Sequence, residues 1–164
     1  MSSSSGRSTG TPETDFTEEN HTPVRGLSGE DKIKLALQSR LRELVDGTNN
    51  NDPTPFDDMF DEDFHATVLT VQPPVMNAEQ YMHYLFVVKQ AAALREHIVT
   101  TNMSTTVDLQ RRMARTFMDL DVSGVHDGIV RQSVAVIKFR VGADGQWRCL
   151  KYEAADSARE MIGI

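Results

Sequence analysis

The chain is short of the features that usually make a function legible. It has one cysteine, Cys149, so no internal disulfide can form and nothing points to an oxidising compartment. Lying in a β-prone run, Cys149 is expected to be a small buried hydrophobe. No apolar stretch approaches the roughly 20 residues that span a bilayer, and Met1-Ser2-Ser3-Ser4-Ser5-Gly6 lacks the charged start and apolar run of a signal peptide. The expectation is a cytoplasmic protein with no membrane partner. No histidine pair sits at short ligand spacing and Cys149 has no neighbouring ligand, so no metal is expected. A Gly-x-Ser-x-Gly elbow and a glycine-rich phosphate loop are both missing, which leaves nucleophilic hydrolysis and nucleotide cofactors without a motif. Positive charge is also scarce: 17 Lys and Arg against 24 Asp and Glu give a net charge of -7. The one dense basic cluster, Arg111-Arg112 with Arg115, reads as a solvated strand face, and nucleic acid is not an expected partner.

What is present fits one domain. With 39% apolar residues, the chain can bury a core of about 120 to 140 residues. Residues 1–29 hold only Phe16, Val24 and Leu27 as sizeable hydrophobes among Ser, Thr, Gly, Pro and acids, and read as a disordered tail. The domain is placed at 30–160, with 161–164 as its C-terminal end.

Periodicity predicts the elements. Ser28 is a candidate N-cap with Asp31 in the first turn, and Ile33, Leu37, Leu41 and Leu44 recur at helical spacing. Asp46-Gly47 is the predicted helix end. Thr54-Pro55 predicts the start of a short second helix carrying Phe56, Met59 and Phe60, on which the acidic run Asp57, Asp58, Asp61, Glu62 and Asp63 forms a solvated face. Phe64 to Val71 reads as a strand ended by Pro73-Pro74. Ala78 to Leu94 reads as a long helix with Tyr81, Leu85, Val88 and Ala92 on one stripe.

Four strands follow. In the run His97 to Val107, strict alternation puts His97, Val99, Thr101, Met103, Thr105 and Val107 on one face. Met113 to Val122 turns Ala114, Thr116, Met118, Leu120 and Val122 one way. Ile129 to Val141 and Trp147 to Ala155 flank Gly142-Ala143-Asp144-Gly145, whose Asp144-Gly145 supplies the left-handed backbone of a hairpin turn. Helices first and antiparallel strands after them make an α+β domain.

This order resembles the NTF2-like cone, a curved, mostly antiparallel sheet wrapped around a long helix with two further N-terminal helices. The resemblance covers about residues 30–160. Thr70-Val71-Gln72-Pro73-Pro74 before Met76-Asn77-Ala78-Glu79-Gln80-Tyr81, and the terminal Tyr152-Glu153-Ala154-Ala155-Asp156-Ser157, resemble the SnoaL-like branch, which includes fungal isomerases and cyclases of meroterpenoid and polyketide metabolism. The resemblance implies a homodimer joined by convex sheet faces and an apolar small molecule bound in the cone mouth. Scytalone dehydratase, more distant in the superfamily, has an aspartate ending its first helix and a histidine opening the strand after the long helix, positions matched here by Asp46 and His97. Its further histidine has no counterpart between Leu109 and Val122.

Four candidates follow. His97 is the leading acid/base group, because an imidazole on the apolar face of a cone can exchange a proton with a carbonyl or an acidic carbon; the alternative is a hydrogen-bonded core histidine. Asp46 could orient His97 or lie on the helix surface. Glu153 shares strict alternation with Trp147 and Cys149, so it could face the interior with a raised pKa, or water. His65 could line the mouth. Two functions remain open: a cofactor-independent isomerase, cyclase or dehydratase acting on an apolar polyketide- or terpenoid-derived compound, and a non-catalytic domain that binds a small ligand or dimerises.

Overall fold

The computed structural model describes residues 26–69, 71–91, 96–124 and 128–156. Residues 1–25 of the expected disordered tail, the final residues 161–164 and Ala92 and Leu94 of the predicted long helix lie outside them, as does the SnoaL-like Thr70; the tail's last residue, Gly29, already belongs to a helix. Helix α1 (Gly29–Asn50) begins where expected, with the Ser28 hydroxyl accepting from the Asp31 N–H, and buries Leu37 and Leu41.

It does not stop at Gly47. The helix runs on to a left-handed Asn51 at φ 54°, and Gly47 serves close approach instead. A Cβ there would stand 2.7 Å from the Asp52 carbonyl oxygen and 3.0 Å from Pro55 Cγ, and Asp52 N donates to Gly47 O at 2.8 Å. The glycine lets the chain fold back over its own helix.

The predicted second helix is a single 3-10 turn, Thr54–Phe56. Asp58, at φ 55°, reverses the chain, and Phe60 opens strand β1 (Phe60–Val68) rather than continuing a helix. The acidic run is therefore not one solvated helix face. Asp61 is buried, and the Arg140 guanidinium donates to it through two nitrogens and to Asp63 Oδ2 at 2.8 Å. Those hydrogen bonds hold the Asp61 carboxyl below its usual range.

A two-residue strand, β2 (Val75–Met76), precedes the long helical segment. That segment opens with a capping box in which Asn77 and Gln80 satisfy each other's backbone N–H groups. It comprises α2 (Ala78–His83), a π-helical turn Tyr84–Val88 and α3 (Lys89–Ala91).

Strands β3 (His97–Asp108), β4 (Met113–Ser123), β5 (Arg131–Val141) and β6 (Trp147–Asp156) form the predicted antiparallel meander, with Gly145 left-handed at φ +78° in the last turn. β6 then pairs in parallel with β1. The result is one curved six-stranded sheet in the order β2-β1-β6-β5-β4-β3. Helix α1 lies against β3 and α2 against β1.

The core fills the space between sheet and helices, with Phe139, Ile137, Met59 and Ala66 almost wholly excluded from water. Cys149 is buried among them as expected. The face assigned to β4 is the buried one, and Arg111, Arg112 and Arg115 are exposed. Arg115 stacks 4.5 Å from the centre of the Phe117 ring. Among the described residues no helix is long and apolar enough to cross a membrane.

Candidate functional site

The core does not fill the sheet's concave face completely. It leaves a cavity of about 360 Å³, at the small end of the range for small-molecule sites. The wall is mostly aliphatic and aromatic, with Leu41 and Val45 from α1, Phe56, Phe60 and Phe64 around β1, and Met118, Leu120 and Ile137 from the sheet. The Phe60 and Phe64 rings meet at a tilt with centres 4.4 Å apart, and Phe64 leads on to Tyr81 at 5.8 Å. Phe60 also meets Tyr81 edge to face, with ring centres 6.3 Å apart, a favourable arrangement for aromatic rings.

Against that apolar wall a few polar groups stand out. Tyr81 of α2 and Tyr152 of β6 meet with ring centres 5.3 Å apart. Burial pushes both phenols up, Tyr152 to about 12 and Tyr81 well above its ordinary value.

The π turn carries Tyr84 and Lys89 to the wall, with the Lys89 N–H bonded to Tyr84 O. Lys89 Nζ stands 5.6 Å from the Tyr84 ring centre and 2.6 Å from the Glu96 carboxylate. Arg131 Nη2 approaches the same carboxylate at 3.7 Å. Only 13% of the Glu96 side chain is exposed, and its charge is felt at Tyr152. The cavity thus combines a carboxylate, two basic side chains and a pair of phenols. No group of side chains suited to a metal ion occurs among the described residues.

None of the four residues singled out from the sequence lines this cavity. The reason at two of them is a β-bulge. On β3, Thr100 faces Leu120 and Asn102 faces Asp119, so Thr101 is an extra residue without a partner. One extra residue inverts every side chain on one side of it. Met103, Thr105 and Val107 point inward as expected, but on the other side of the bulge the inward residues are Ile98 and Thr100, paired with the buried Val122 and Leu120. His97 is turned to the outer face and exposed.

β6 repeats the pattern. Phe139 faces Cys149 and Lys138 faces Lys151, so Leu150 is the extra residue. Tyr152 and Ala154 turn inward to the cavity, while Glu153 faces outward beside Lys151, whose hydrogen bond holds its carboxyl below the usual range. The raised pKa expected of an interior Glu153 is thereby corrected.

His65 pairs across the ladder with Lys151 on that outer surface, its Nδ1 3.5 Å from Asp63 O. Asp46 is exposed on α1. The helix end does meet the start of β3, but through Asn49, whose amide donates to Ile98 O and accepts from Ile98 N, both at 2.8 Å.

Sequence reasoning missed Glu96, Tyr152 and Lys89 as site residues. Tyr81 carried a signal, as a polar-tipped ring on the predicted apolar stripe. Glu96 carried none, since its inward aim depends on where the neighbouring strand breaks phase.

No family model matches the chain, and no curated protein matches it. Solved structures do. A hexachlorocyclohexane dehydrochlorinase from Novosphingobium barchaimii superposes with a TM-score of 0.66 at 14% identity, over 77% of this chain and 87% of that one. A candidate dehydratase of the NTF2-like family from Streptomyces avermitilis gives 0.62 at 14% identity, over 77% and 96%. The association domain of C. elegans CaMKII gives 0.60 at 13% identity, over 77% and 97%. At such identities the likeness is one of backbone arrangement, and it fits the strand order and the helix-covered concave face found here: the chain has the NTF2-like fold.

Proposed function

We propose that this protein binds an apolar small molecule in the cavity and moves a proton on it by acid/base catalysis, without a cofactor. The carrying observation is that one apolar cavity holds both the paired Glu96 carboxylate and the Tyr81–Tyr152 phenols. In this reading Glu96 takes a proton from a carbon next to a carbonyl, and the Tyr152 hydroxyl donates to the oxygen on which charge develops. Returning the proton to another carbon gives isomerisation; attack of the enolate carbon on a second carbonyl of the same molecule, whose oxygen takes up the proton, gives ring closure; expelling a β-hydroxyl, protonated as it leaves as water, gives dehydration. A polyketide- or terpenoid-derived ketone of about 360 Å³ or less suits the wall. His97, Asp46, Glu153 and His65 stay outside the chemistry.

Deuterium uptake from heavy water into a panel of such ketones, followed by mass spectrometry, tests the proposal. Glu96→Gln should lower exchange by roughly 10² to 10⁴-fold, Tyr152→Phe by roughly 10² to 10³-fold, and His97→Ala should leave it unchanged. Undiminished exchange in Glu96→Gln would remove the proposed base. The second reading, ligand binding without turnover, draws on the Lys89–Glu96 pair, because the Lys89 ammonium already occupies the carboxylate at 2.6 Å. Ketones that bind with no exchange in any form of the protein would favour it. Assembly as a homodimer through the outer sheet face fits the exposed Phe117 there.

A further inference from the structure

A second concavity lies outside the site, along the solvent side of α1. It encloses about 310 Å³ between Lys32, Ile33, Ala36, Leu37 and Arg40 on successive helical turns and Gln146 with Trp147 at the start of β6. The floor is apolar, and Ile33, Leu37 and Trp147 all pack into or against the core.

The rim is basic. Lys34 and Arg148 are already paired with Glu30 and Asp144, but the Lys32 ammonium makes no hydrogen bond or ion pair among the described residues. The Arg40 guanidinium reaches only the carbonyls of Trp147 and Asp57, each at 3.4 Å. An apolar floor with cations left over at its edge suits a hydrophobic side chain flanked by carboxylates.

The chain carries such a segment. Glu13-Thr14-Asp15-Phe16-Thr17-Glu18-Glu19 places one phenylalanine among four acids with no base between them. We propose that this segment docks in the groove of its own chain, with Phe16 against Trp147 and its carboxylates facing Lys32 and Arg40. Reach is ample. The ten residues from Phe16 to Gly26 span up to about 33 to 36 Å, whereas Ala36 lies about 10 Å along α1 from Gly29. The apolar contact supplies most of the attraction, and the charges at the rim set which segment binds and in which direction.

Trp147 is the only tryptophan in the chain, so its fluorescence reports on the groove in the full-length protein. Phe16→Ala should weaken docking about tenfold, as expected for losing most of a buried phenylalanine. Its Trp147 emission moves to longer wavelength and becomes more easily quenched by acrylamide, while circular dichroism is unchanged. Lys32→Glu should do the same. Salt well above the roughly 0.1 M at which the screening length falls to about 10 Å should shift the wild type towards Phe16→Ala and leave Phe16→Ala unmoved. A synthetic peptide of residues 10–21, added to the Phe16→Ala protein, should restore shielding. Equal quenching of wild type and Phe16→Ala at every salt concentration overturns the proposal. So does shielding that fades on dilution, since the groove is then filled by a second copy.

Discussion

Raising the pH tests the dryness of the cavity wall directly. Burial pushes the Cys149 thiol from its ordinary 9.0 up to about 12 and the Tyr152 phenol from 10.0 up to about 12. Both are acids whose neutral form the fold prefers. The stability they lend is therefore whole below the pKa of the unfolded chain and is lost as pH rises through the folded value. Between about pH 8 and 11 the unfolded chain ionises these groups while the folded chain largely does not, which removes about 3 kcal/mol for Cys149 and about 1 kcal/mol for Tyr152. Tyr81, also raised by burial, adds in the same direction. A loss of about 4 kcal/mol is a large part of the roughly 5 to 15 kcal/mol that holds a domain folded.

Urea unfolding followed by circular dichroism at the two pH values measures the loss. Cys149→Ala isolates its share, because the packing cost of the substitution cancels between the two pH values. The variant should lose about 3 kcal/mol less than wild type. Phenolate absorbance should step up at the unfolding transition as Tyr81 and Tyr152 meet water. Two results would refute the reasoning: equal losses in wild type and Cys149→Ala, or Tyr81 and Tyr152 ionising near pH 10 in the folded protein.

The bulge at Thr101 predicts a sharp contrast between neighbours. His97→Asp, on the outer face, should change stability by no more than about 0.5 kcal/mol, whereas Ile98→Asp places a carboxylate on the inner face and should cost at least about 2 kcal/mol; equal costs in urea unfolding would put the phase change elsewhere. Phe117, exposed on the outer sheet face, should anchor the homodimer. Sedimentation equilibrium of Phe117→Asp should then show a folded monomer where wild type shows a dimer, and an unchanged mass distribution would move the interface to another surface.

Much of the architecture was legible because local rules agree with it. The Ser28 cap and the left-handed Gly145 turn each sit where their chemistry demands. The β4 alternation holds without interruption, and β-branched residues mark β5. Illegibility began where a residue answers to a distant partner. Gly47 carries the mark of a helix stop, yet it is needed for the close approach of Asp52 and Pro55. Asp61 looks like one acid in a solvated run until Arg140, far along the chain, reaches it.

The sequence by itself determined that helices precede a meander of antiparallel strands and that apolar residues recur along them. It also supplied the charge, spacing and propensity behind each element. Only the tertiary structure decided which side chains face the cavity. Alternation gives the period of a strand but not its phase, and the bulges at Thr101 and Leu150 shift the phase by one residue each. Nothing local marks them, because an extra residue in a strand is defined by what the neighbouring strand pairs with. That single shift turns His97 and Glu153 to the outer face, and Ile98 and Tyr152 to the cavity.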